Sequence, residues 1–66
     1  MIVIINGDKK EVKDSITLLK FIQELNLESQ IMAAAVNMNI VKQNEWGNSI
    51  LNENDKIELL DFVGGG

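Results

Sequence analysis

The sequence predicts an α+β domain in which several short strands accompany one main helix, followed by a bare glycine thread. Three observations predict it. The β-branched run Met1-Ile2-Val3-Ile4-Ile5 leads straight into Asn6-Gly7, a dipeptide suited to the positive φ angles of a tight hairpin. Leu18, Phe21, Ile22 and Leu25 recur at steps of three and four, the stripe of an amphipathic helix. The closing run, residues 56–63, alternates in the manner of a strand and then stops on Gly64-Gly65-Gly66.

In chain order, residues 1–5 are apolar on both faces and read as a central, doubly covered strand. Residues 9–13 carry charges around a single apolar Val12, the pattern of a solvated edge strand whose lysines discourage edge-to-edge pairing. Asp14, Ser15 and Thr17 all suit a helix start, with Thr17 the expected N-cap before the stripe; Lys20, Gln23 and Glu24 fall on its polar side, and Leu19 covers its flank. After a polar connection over residues 26–30, the run Met32-Ala33-Ala34-Ala35-Val36 is alanine-rich. It is short and ends in Val36-Asn37, so it reads as a strand whose small side chains let a helix or a partner approach closely. Asn37-Met38-Asn39 makes a turn, Ile40-Val41 a short strand, and residues 43–48 a polar excursion in which Trp46 plugs the end of a small core. Residues 52–55 turn the chain into the last strand, where Ile57 and Leu59 face the core while Leu60 and Phe62 lie outward, either as a contact patch or covered by another segment.

Composition removes several classes of function. The 66 residues contain no cysteine and no histidine, so there is no disulfide, no thiolate metal site and no imidazole base. No nucleophile stands beside an evident base, and an enzyme is not expected. A formal charge of −4, with six lysines and no arginine, opposes nucleic acid and anionic membranes as partners. Without a signal peptide or a transmembrane-length apolar run, the cytoplasm is the expected location.

The tail then becomes the part that needs a reason. Glycine adds no side chain to a core and loses the most backbone freedom on ordering, so a packed domain gains nothing by ending in three of them. A thin thread does carry its terminal carboxylate roughly 10 Å beyond the body, far enough to enter a narrow pocket of another protein. The expectation is that the carboxylate of Gly66 is the functional group and residues 1–63 are its handle. A frayed end or a cloning linker are the bland alternatives.

The order of elements resembles the ubiquitin-like β-grasp fold, a mixed sheet of four to five strands packed on one main helix with a flexible glycine tail. Within that fold the whole chain is similar to the bacterial sulfur carrier family of thiamin (thiazole) biosynthesis. Four stretches carry the likeness: the opening strand into Asn6-Gly7; Thr17 leading the helix to Leu25; Ala35-Val36-Asn37 with Ile40-Val41 and Trp46; and Asn54-Asp55-Lys56-Ile57 running into Phe62-Val63-Gly64-Gly65-Gly66. The resemblance implies a protein cosubstrate with no bound cofactor. An adenylating activating enzyme using ATP and Mg²⁺ would adenylate the terminal carboxylate, sulfur from a donor system would convert it to a thiocarboxylate, and thiazole synthase would receive that sulfur. On this likeness Gly66 is the modified residue, Gly65 keeps the tail slim beside it, Gly64 lengthens the thread, and Leu60 with Phe62 forms the surface shown to the activating enzyme. Lys42 and Lys56 are the candidate basic contacts. Two alternatives accompany this reading: the small subunit of molybdopterin synthase, which shares the tail and the activation chemistry, and a ubiquitin-like interaction module whose tail is inert.

Overall fold

The computed structural model describes residues 1–61. Strands β1 (Ile2–Ile5) and β2 (Asp8–Glu11) form one hairpin, and α1 follows over Leu18–Glu24. Strands β3 (Ile31–Val36) and β4 (Asn39–Val41) form a second hairpin, a 3₁₀ helix spans Gln43–Asn48, and β5 (Lys56–Asp61) comes last. The sheet has the order β2-β1-β5-β3-β4. It is mixed, because β1 and β5 run parallel while the other neighbours are antiparallel.

Local chemistry explains the hairpins and the helix. Asn6 and Gly7 take φ of 49° and 92°, the left-handed geometry that matches a two-residue turn to the twist of its strands. Asn37 and Met38 repeat it at 52° and 72°, and Met38 is 87% exposed at the tip. The Thr17 hydroxyl accepts a hydrogen bond from the Lys20 backbone N–H at 3.1 Å and so caps α1, as its sequence position predicts.

Among the described residues, helical elements cover one face of the sheet only. Leu18, Phe21 and Ile22 from α1 are fully buried against Val3, Ala34 and Ile57 of the strands. Trp46, 1% exposed, closes the core end as expected, and its indole N–H donates to the Val41 carbonyl at 2.9 Å. Along β5, Ile57 is buried, Leu59 half-buried and packed on the core, and Leu60 exposed, in accord with the alternation.

Several expectations need correction. The central strand is β5, not β1. Of β1 only Val3 is fully buried, whereas Ile2 and Ile4 stay half-buried on the face that no helix covers. An apolar run signals burial without saying whether one face or two is closed. Residues 43–48 form a 3₁₀ helix, a short element with no periodic apolar stripe to announce it. Leu51 and Ile16 join the core, because an antiparallel bridge between Thr17 and Ile50 aligns the helix approach with the segment before β5. The predicted strand residues Phe62 and Val63, and the tail Gly64 to Gly66, lie outside the described residues.

Candidate functional site

The open face of the sheet and the root of the tail meet on β5. Directly opposed residues of neighbouring strands share a face, so the register builds this surface residue by residue. Leu60 lies opposite Ala33, and Glu58 opposite Ala35, which in turn faces Ile40 on β4. Two small alanines between Leu60 and Ile40 leave a shallow groove of about 260 Å³, lined by Ala33, Ala34, Ala35, Ile40, Glu58, Leu59 and Leu60. Its rims are apolar and open to solvent, with Leu60 56% and Ile40 71% exposed. Beside them, a register shift between Ile31 and Ala33 marks a bulge, and Met32 within it is also exposed. Glu58 is the one carboxylate in the groove lining, and among the described residues it has no ion-pair partner.

Of the predicted site residues, the structure places Leu60 on this exposed face. Phe62, Gly64, Gly65 and Gly66 lie outside the described residues. Lys56 is exposed on the same strand, paired with Ile4 of β1, whereas Lys42 sits at the start of the 3₁₀ helix and does not line the groove. Sequence reasoning leaves Ile40 and Glu58 out of the site, and reads the alanine run around Ala33 and Ala35 as admitting either a helix or a partner without deciding which. Alanine at alternate strand positions was the available signal, but its meaning depends on which residues the register sets opposite.

The edge of β5 that faces β1 holds a second feature. The ladder between the two strands reaches Ile5 opposite Ile57. Asn6 then continues it from the turn: its backbone N–H donates to the Ile57 carbonyl at 2.9 Å, and its side-chain Oδ1 accepts from the Leu59 N–H at 3.1 Å.

Among the described residues, no group of three or more His, Cys, Asp or Glu side chains is placed to hold a metal ion. No helix among them is long and apolar enough to cross a membrane. The site offers shape and apolar surface on the strand that precedes the glycine run, which suits recognition by another protein.

A mixed five-stranded sheet with its first and last strands parallel and one main helix across a single face is the ubiquitin-like β-grasp architecture. Two solved structures of a thiamine biosynthesis protein (ThiS) from Geobacter metallireducens share it. The crystal structure superposes with a TM-score of 0.83 at 20% identity, over 100% of both chains. The solution structure gives 0.78 at 20% identity, over 100% of this chain and 88% of that one. Residues 3–66, the glycine tail included, match the model of the ThiS family, and the chain belongs to that family. Among curated relatives, a thiazole synthase of Paramagnetospirillum magneticum is 32% identical over 66 residues, which are 100% of this chain and 20% of that protein. The chain thus spans about a fifth of that relative's length. An uncharacterized protein ycf40 of Porphyra purpurea is 26% identical over 62 residues, covering 94% of this chain and 87% of the relative.

Proposed function

We propose that this chain is a sulfur carrier for the thiazole ring of thiamin, and that its reacting group is the carboxylate of Gly66. The observation that carries the reading is the family match running to residue 66, so that Gly64-Gly65-Gly66 falls within the matched region. The relative named thiazole synthase favours thiamin over molybdopterin, since a stretch similar to this entire chain occurs within that longer protein.

The chemistry follows from the terminus. A carboxylate is a poor electrophile until one oxygen becomes part of a leaving group. An activating enzyme supplies this by letting the Gly66 carboxylate attack the α-phosphate of ATP, with release of pyrophosphate. Sulfide-level sulfur from a donor system then attacks the acyl carbon, the C–O bond to the phosphate breaks and AMP departs, which leaves the thiocarboxylate that thiazole synthase consumes. The carrier's residues contribute access and placement. Glycine at positions 65 and 66 leaves no β-carbon to obstruct attack or widen the thread. Docking of the open face holds the tail in the enzyme's pocket and turns the encounter into an oriented, effectively unimolecular step. The groove between Ile40 and Leu60 fits an apolar knob, and Glu58 together with the net charge of −4 fits a partner face carrying a basic side chain.

The test is an intact mass after incubation with the host's thiamin-pathway activating enzyme, ATP, Mg²⁺ and sulfide. The expected gain equals replacement of one oxygen by sulfur and is absent when Gly66 is deleted. Conversion by a molybdopterin activating enzyme instead would assign the rival pathway. If neither enzyme, shown active on its own carrier, changes the mass, the tail is inert and the proposal fails.

A further inference from the structure

We propose that Asn6 is a positioning residue for the C-terminal tail, clasping β5 at Leu59 so that the strand preceding the tail is held on both edges. This rests on the reading of Gly66 as the reacting terminus. Pairing between β1 and β5 ends at Ile5 and Ile57, whereas β3 accompanies β5 as far as Asp61. On the β1 edge, the hydrogen bond from the Leu59 N–H to Asn6 Oδ1, 3.1 Å long, is the last one among the described residues. Without it that N–H would turn to solvent, and the end of β5 would be held from the β3 side alone.

Turn chemistry does not account for this bond. The turn requires a residue that accepts a φ of 49°, which glycine and aspartate also do. Its backbone bond to Ile57 would survive with any side chain at position 6. The Oδ1 contact is therefore a separable contribution of asparagine, made across 53 positions of sequence to the strand that carries the tail.

Leverage gives the contact its consequence. Seven residue steps separate Leu59 from Gly66, a reach of roughly 24 Å when extended. Play at the strand end widens the set of directions that docking must narrow, and that ordering cost falls on binding of the carrier. Leu60, the next residue, stands on the docking rim. The clasp thus sits where the docked face hands over to the thread.

Asn6→Gly removes the acceptor and keeps the turn, while Asn6→Asp keeps both. Exchange of the Leu59 amide in the free protein should quicken about 3–10-fold in Asn6→Gly, the range expected for one hydrogen bond, and return towards wild type in Asn6→Asp. Thiocarboxylate formation by the activating enzyme is then followed at a temperature where all three proteins are folded. KM for the carrier should rise by a similar factor in Asn6→Gly with kcat little changed, and Asn6→Asp should recover it. Wild-type exchange at Leu59, or quickened exchange with an unaltered KM, would overturn the proposal and leave Asn6 a turn residue. If the enzyme does not act on the wild type, the Gly66 reading is what has failed. Backbone order of residues 60–63 by ¹⁵N relaxation then decides the clasp: lower order in Asn6→Gly supports it, and unchanged order sinks it.

Discussion

Asp55 shows how much one buried polar residue can organise in a chain this short. Its carboxylate, in a residue 8% exposed, accepts from the Asn37 side-chain amide at 2.9 Å and from the Asn52 backbone N–H at 2.8 Å. Asn37 in turn accepts from the Lys56 N–H at 3.0 Å, so the β3–β4 turn is tied to the first residue of β5. Burying such groups is tolerable only when each finds a partner. Asp55→Ala would strand the Asn37 amide and the Asn52 N–H, and the expected loss is about 1–3 kcal/mol. Urea unfolding measures it, and a loss below about 0.5 kcal/mol would mean that water replaces the carboxylate without penalty. Half of this arrangement is legible in the sequence. Asn52-Glu53-Asn54-Asp55 announces a turn, and Asn54 indeed takes a φ of 68°. Asn37 lies 18 positions from Asp55, and no local pattern pairs them.

At the scale of elements, what could be read was whatever depends on neighbours in sequence. The α1 stripe and the in–out alternation of β5 follow from fixed periods of 3.6 and 2, the Thr17 cap follows from its hydroxyl just ahead of the stripe, and all three stand in the structure among the described residues. The central place of β5 and the groove on the open face depend on register between strands far apart in the chain, where periodicity is silent. Leu60 could be placed outward from β5 alone, but its alanine floor and the opposite Ile40 rim required the sheet. This surface leads to a prediction of its own. Asp at both Leu60 and Phe62 should weaken binding of the activating enzyme roughly 10–100-fold, as loss of a central apolar anchor does. The circular dichroism melt should stay close to wild type, because Leu60 is already 56% exposed and contributes little to the core. Titration calorimetry reads the affinity, and an unchanged value in a well-folded double variant would remove this face from the docking interface.

For the whole molecule, the proposed division of labour is a body that folds and a thread that reacts, and the two should separate cleanly. Among the described residues, the buried cluster runs from Val3 through the α1 stripe and Trp46 to Ile57. Three glycines bring no side chain to that cluster, and ordering them would only cost backbone entropy. Deleting Gly64 to Gly66 should therefore leave the unfolding free energy within about 0.5 kcal/mol of wild type. The same deletion should abolish conversion by the activating enzyme, since the carboxylate would then sit on Val63, about 10 Å short of its mark and beside a β-branched side chain. The shortened protein should still compete with the full chain for the enzyme, because its docking face is intact; matched inhibition and unfolding series measure both halves. A stability loss beyond about 1 kcal/mol would mean that the glycines belong to the packed body. A failure to compete would mean that affinity resides in the thread, and the sheet face would then serve only to carry it.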